Sequence, residues 1–408
     1  MLLVSAAFLA AGCGGGGGDR GITPPDTTTP VPDFTATAVG GAHSCGIAGT
    51  GYAFCWGRNA SGELGTSAHV AVCEGASYSC SAVPLRVALA PRVASIAAGD
   101  SYSCAIAVGG QAYCWGADGF GQLGDGASTG AGPNEVAAGA VRFRSIVASV
   151  SHSCAIATSG SAYCWGLDDR GQLGGGVESS GICGSARCSH LPVEVVGGHL
   201  FKSLALRDGA TCGLTTSGAE FCWGKGVGGA DGLSCQQGSA TDCTHTPVAV
   251  DAGDSLTAIG MSDDLDCGLT GAGVIRCWGG TDYSGMLGNG TTGTVVTAPA
   301  DVAGGASWSS FVEGSHSICA LDAAGTAKCW GSNSNGQLGT GAASPQELQP
   351  AAVAGDHQFT ALFASNRALF TCGITKTAQT MCWGLGGDGQ LGSGEMVSSA
   401  SPVEVQSP

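Results

Sequence analysis

Twenty-one cysteines in 408 residues are enough for redox chemistry, metal binding or stapling, and their spacing discriminates among the three. Cys-Trp-Gly occurs seven times, at Cys55, Cys114, Cys164, Cys222, Cys277, Cys329 and Cys382, and each cysteine has a partner ten positions earlier, at Cys45, Cys104, Cys154, Cys212, Cys267, Cys319 and Cys372. Two short alternating segments about a turn separate the partners, as in Cys104-Ala-Ile-Ala-Val-Gly-Gly-Gln-Ala-Tyr-Cys114. A turn centred between them sets the two cysteines opposite each other on adjacent antiparallel strands and on one face, within reach of a disulfide. Closing so short a ring contributes roughly 2 to 3 kcal/mol in the chain-entropy account. Zinc instead takes closely spaced knuckles whose four ligands converge, which pairs on separate units cannot supply. The fourteen hairpin cysteines therefore read as structural disulfides.

The remaining cysteines complete the arithmetic. Cys73 and Cys80, Cys183 and Cys188, and Cys235 and Cys243 fall as three local pairs in the same part of repeats one, three and four, and Cys13 stands alone. Ten disulfides and one unpaired cysteine imply an oxidising compartment.

Other residue types offer little for catalysis. His43 and His152 lie two residues before a hairpin cysteine and His316 three, while Tyr102 and Phe370 fill a matching place. A position that accepts aromatics reads as packing or a hydrogen bond, not a catalytic base. The repeated tryptophans, such as Trp56, Trp115 and Trp165, read as packing between units, and Trp308, outside the motif, is a candidate for ligand stacking beside the same packing reading. Asp263, Asp264 and Asp266 lack the spaced oxygen ligands of a calcium loop and read as a solvated turn. No nucleophile elbow, zinc-protease helix or phosphate-cradling loop is present, and no cofactor is implied.

The elements that must position these residues are short strands. Seventy-three glycines and only 11% charged residues favour many strands joined by tight turns, an all-β architecture. Six residues after the first hairpin cysteine stands Gly51, Gly110, Gly160, Gly218, Gly273 or Gly325, where a three-residue loop needs positive φ; the last repeat has Ala378, so its turn is expected to be strained or different. Fifteen basic against 31 acidic residues, a net charge of −16, make nucleic acid an unlikely partner.

At the start, the apolar run of residues 1–12 ends in Leu9-Ala10-Ala11-Gly12-Cys13 and resembles a bacterial lipoprotein signal, which implies lipidation at Cys13. An unlipidated secretory signal is the alternative. Residues 13–32, rich in Gly, Thr and Pro, read as a tether. No later segment has 18 uninterrupted apolar residues, so a lipid is the expected membrane attachment.

After the Trp of six repeats the pattern runs on to Gly-Gln-Leu-Gly, at 121–124, 171–174, 336–339 and 389–392, with Gly62-Glu-Leu-Gly65 and Gly285-Met-Leu-Gly288 as variants. Pro192-Val-Glu-Val195, Pro247-Val-Ala-Val250 and Pro402-Val-Glu-Val405 supply a Pro-Val strand, and Ser95-Ile-Ala-Ala-Gly99 a small apolar one. This pattern resembles the regulator of chromosome condensation repeat family over residues 33–408, and implies a seven-bladed β-propeller with a disulfide inside each blade. Repeat four lacks Gly-Gln-Leu-Gly between Lys225 and Asp242, so an altered outer edge is expected there. Sequence leaves open whether one blade draws strands from both termini.

The resemblance spans very different binders, from a nuclear protein that promotes nucleotide exchange on a GTPase to secreted inhibitors of β-lactamases, so fold alone does not choose. Insertions at Thr66 to Ala82, Gly175 to His190 and Lys225 to Thr244 are expected on one propeller face, each held by its own disulfide. They either meet a partner with little entropy to lose or merely cover an apolar edge. The expectation is an envelope or cell-surface lipoprotein, or a secreted protein, that binds a protein or glycan. An exported hydrolase or lyase and an enzyme inhibitor are the alternatives.

Overall fold

The computed structural model describes residues 33–67, 70–73, 77–127, 132–177, 179, 181–226, 243–250, 252–303, 307–342 and 344–406. The regular secondary structure among them is all strand. Seven antiparallel sheets follow one another along the chain, each ordered inner, second, third and outer strand. The inner strands are Phe34–Val39, Val93–Ala98, Phe143–Ala148, Phe201–Arg207, Leu256–Met261, Trp308–Glu313 and Phe359–Phe363. Each touches the next, and the last touches the first, so they enclose an axis and make a closed seven-bladed β-propeller. Every blade is one continuous stretch of chain, so the ring closes without a mixed blade.

Each hairpin follows from its residues. Ala107 N–H donates to the Gln111 carbonyl and Gly110 N–H to the Ala107 carbonyl, a three-residue loop with Gly110 at φ 83°. Counting back from that bonded pair places Cys104 opposite Cys114 in a non-hydrogen-bonded pair, where Cα atoms approach most closely. All seven hairpin pairs, Cys45–Cys55 to Cys372–Cys382, are joined, with Cα separations of 4.0 to 4.1 Å. The last blade keeps the same turn: Ala378 N–H donates to the Thr375 carbonyl at 3.0 Å, and Ala378 carries the strain at φ 64°.

Packing between blades explains the rest of the repeat. The tryptophans are buried and stack against the first residue of their own inner strand, as Phe34 on Trp56 at 5.4 Å and Phe201 on Trp223 at 5.7 Å. Trp308 fills that same place on Trp330 at 5.7 Å and is only 5% exposed, so it packs and presents no stacking face. Six indole nitrogens donate to a carbonyl in the preceding blade's Gly-Gln-Leu-Gly turn: Trp115 to Glu63, Trp165 to Gln122, Trp223 to Gln172, Trp330 to Met286, Trp383 to Gln337 and, closing the ring, Trp56 to Gln390. The turn's leucine is buried, and in five blades its N–H is held by an Asx side chain five residues earlier, as Leu123 by Asp118, whereas blade 7 has Gly386 at that place.

Blade 4 departs less than its sequence suggests. Its outer strand, Cys243–Val250, pairs regularly with Glu220–Lys225, because the Pro247-Val segment that builds the edge is intact. Residues 227–242, where the motif is missing, lie outside the described residues. Shortened edges occur in blades 2 and 5, where the outer strands are only Asn134–Glu135 and Ala300–Asp301. In blade 5, Gly280–Asp282 pairs with Thr294–Val296 in its own ribbon, leaving the outer strand nothing to pair with beyond Cys277.

Candidate functional site

In a four-stranded antiparallel blade, the inner-to-second and third-to-outer connections emerge on one face of the ring. The stapled insertions of blades 1 and 3 are third-to-outer connections, so they share that face, while most of the third insertion, residues 227–242, lies outside the described residues. Cys73–Cys80 and Cys183–Cys188 are joined, and Cys243 is disulfide-bonded while Cys235 lies outside the described residues, as does Cys13.

The two stapled loops that can be followed both cover an edge and expose apolar surface. Tyr78 donates its hydroxyl to Asp388 of blade 7 at 2.7 Å, beneath the Arg58 guanidinium 4.6 Å from its ring, and Cys80 lies against Met396. His190, after the second staple, lies where a side chain on Gly121 of blade 2 would stand, 2.8 Å from its Nδ1. Beyond these seats, Val72 is 72% exposed and Ile182 60%. Of the twelve exposed large hydrophobic residues among the described residues, seven sit in third-to-outer connections: Val72, Phe120, Val177, Ile182, Tyr283, Val295 and Val397. The apolar surface is thus biased to the loop face.

The mouth of the axis on this face is barred. Asn366, in the 364–369 connection of blade 7, donates to the Leu206 carbonyl of blade 4 at 3.1 Å, and Arg367 approaches Asp208 and Asp263 at 3.5 and 3.6 Å. Blades 7 and 4 are not neighbours in a seven-membered ring, so these contacts cross the axis.

The titratable residues singled out by sequence are each engaged in the architecture and form no common site. Buried His43 shares a hydrogen with Ser103 at 2.8 Å and buried His152 with Thr211 at 3.0 Å, and burial lowers their pKa values to about 4 and about 3. Tyr102 donates to the His152 carbonyl, and Phe370 is buried in the seam between the last and first blades. His316 is raised by its hydrogen bond to Asp264, which also accepts from Ser284. Asp263 faces Arg367, and buried Asp266 pairs with Arg207 at 3.2 Å. The acidic trio is therefore divided: Asp263 is exposed in a bend, as a solvated turn would have it, whereas Asp264 and Asp266 are held by separate partners and Asp266 is buried.

Sequence reasoning missed a second set of acids. Glu220 and Glu313 are 3% and 6% exposed, and both Glu313 carboxyl oxygens and Glu220 Oε2 lack a hydrogen-bond partner. Burial, then the neighbouring Asp266, pushes Glu220 up to about 8 and Glu313 well above the usual range. Asp266 itself stands where five other blades carry Ser or Thr before the hairpin cysteine, a substitution visible in sequence.

Repeat matches accord with this architecture: the regulator of chromosome condensation (RCC1) repeat is matched at residues 34–63, 93–122 and 143–172, and again at 50–106. The chain thus carries RCC1-like repeats. It is 28% identical over 309 residues to the human E3 ubiquitin-protein ligase HERC2, covering 74% of this chain but only 5% of HERC2. Human WBSCR16 superposes with a TM-score of 0.72 at 20% identity, covering 87% of this chain and 94% of that one. Prp20p of Saccharomyces cerevisiae, described with its binding to Gsp1p and histones, superposes at 0.69 with 18% identity over 86% and 85% of the two chains. At these identities the structures establish the propeller fold alone.

Proposed function

We propose that this RCC1-like propeller is an exported, lipid-anchored interaction module that binds a protein through the face bearing its stapled loops. The observation that carries the reading is the concentration of exposed apolar side chains in the third-to-outer connections, three of them, Val72, Val177 and Ile182, in the insertions that are stapled by disulfides and seated on neighbouring blades. Rigid loops lose little conformational entropy on binding. The exposed residues are mostly aliphatic and the motif tryptophans are buried, which favours a protein over a glycan. Export is supported by the cysteines: all nineteen among the described residues are disulfide-bonded, as an oxidising compartment requires. The apolar start ending at Cys13 supports the anchor.

The test is capture of envelope proteins by the detergent-solubilised full chain, beside a Val72→Asp/Ile182→Asp variant. A protein retained by the native chain and lost by the variant supports the reading; a partner held equally by both sinks the loop face. Fatty-acid labelling that survives Cys13→Ala would overturn the anchor.

A further inference from the structure

Among the described staples, two have a side chain that could serve as a metal ligand against their sulfurs, Glu220 beside Cys212–Cys222 and an imidazole beside Cys183–Cys188. Cys183 and Cys188 are diagonal across a hairpin, Cys183 opposite Ala186 and Cys188 opposite Gly181, with Cα atoms 5.9 Å apart. Two residues on, and so on the same side of the strand, His190 aims Nε2 at the sulfurs, 3.3 Å from Cys183 Sγ and 4.0 Å from Cys188 Sγ. The three potential ligand atoms all lie within 4.8 Å of one another. His190 Nδ1 is buried without a partner, so the ring's orientation is set by its packing against Gly121 and by the sulfurs. Blade 1 supplies the contrast: its staple, Cys73–Cys80, is followed at the matching place by Ala82.

We propose that this corner has two states, a disulfide when oxidised and a zinc-class cation site when reduced. Reduction by a dithiol transfers two electrons and two protons: the Sγ–Sγ bond breaks, two thiols form, and the reductant closes its own disulfide. Zn²⁺ then displaces both thiol protons to water and is held by two thiolates and the neutral Nε2 of His190, with the fourth tetrahedral position open to water or a partner's side chain. A thiolate pair with an imidazole suits zinc over calcium or magnesium, which take oxygen ligands. The spacing Cys-x4-Cys-x-His was legible in the sequence, and Cys243 and His245 repeat its last step in the next blade. The inference stands apart from the partner-binding reading, because it concerns the metal alone.

The experiment is graded reduction of the full chain with a dithiol, removal of the reductant, Zn²⁺ titration, and peptide-level alkylation by mass spectrometry. Reduction at Cys183–Cys188 before the hairpin staples, with Zn²⁺ then shielding both thiols from alkylation, is the expected result. Cys73 and Cys80 should gain no such shielding. His190→Ala, with its seven hairpin staples intact, should need at least about tenfold more Zn²⁺ for the same protection. Cobalt substitution gives a second readout, a thiolate-to-metal band in the native chain that His190→Ala shifts or loses. Reduction of the hairpin staples first, no shielding by Zn²⁺, or equal shielding in His190→Ala would each overturn the proposal.

Discussion

An indole N–H and a hydroxyl meet at one carbonyl in most blade seams. Trp115 and Ser103 both donate to the Glu63 carbonyl, at 2.7 and 3.0 Å, in a fully buried place where an unmade bond costs its whole desolvation. Trp278 is also buried, but it follows the blade whose sequence lacks Gly-Gln-Leu-Gly, and among the described residues it makes no such bond. Trp115→Phe and Trp278→Phe remove similar volume, so the first should cost more by about 0.5 to 1.5 kcal/mol in urea unfolding. Equal costs would show that the indole bond contributes nothing. Ala378 is a simpler case, since it holds a φ of 64° that glycine adopts freely. Ala378→Gly should raise stability by about 1 kcal/mol, seen as a higher urea midpoint with an unchanged slope. A lower midpoint would mean that the alanine methyl packs more favourably than the backbone is strained.

At the scale of strands and blades, the irregular place lies around blade 5. Glu220 of blade 4, Asp266 of blade 5 and Glu313 of blade 6 are buried with Arg207 as the guanidinium among them, and burial raises all three carboxyl groups. Glu220, at about 8 in the folded chain, is protonated there at pH values where the unfolded chain has lost that proton. Its stabilising contribution is therefore complete below about pH 4.5 and is lost as pH rises to about 8. His43 and His152 act in the opposite sense: neutral when folded, they contribute stability above about pH 6.5 that is lost as pH falls toward about 4 and about 3. Between pH 6.5 and 8 the two buried histidines are neutral in both states, and Glu220 can lower stability by up to about 1.4 kcal/mol per pH unit, with His316, raised by Asp264, acting in the same sense. Thermal unfolding should fall through that window, and Glu220→Gln should flatten the fall; an unchanged slope would remove Glu220 as its cause. The hairpins were legible because each cysteine meets its partner ten residues away across a short turn, and the tryptophans, whose bonded partners lie a blade away, were legible through their repetition in every unit. These acids were not, because Glu220 and Glu313 meet only when three blades pack.

The ring as a whole has one boundary that no strand or covalent connection crosses. Blades 7 and 1 meet through Trp56 and Ser44 donating to the Gln390 carbonyl, Gly394 N–H donating to the Ala82 carbonyl, Tyr78 on Asp388, and Phe34 packed with Phe370, Leu391 and Val405. The stapled loop of blade 1 thus has an architectural task as well as an exposed edge, and the cross-axis contacts of Asn366 and Arg367 tie blade 7 to blades 4 and 5. Elsewhere an opening seam remains bridged by the chain between its blades, whereas here it can part without stretching the backbone. Trp56→Phe and Trp115→Phe delete the same kind of bond, at 2.9 and 2.7 Å, one at the closure and one within the chain. The first should speed hydrogen exchange selectively in His43–Ala48 and Ser399–Glu404, while the second leaves those strands as protected as in the native protein. If both variants loosen their own seams to the same degree, chain continuity adds nothing to blade packing, and the ring is held equally at all seven boundaries.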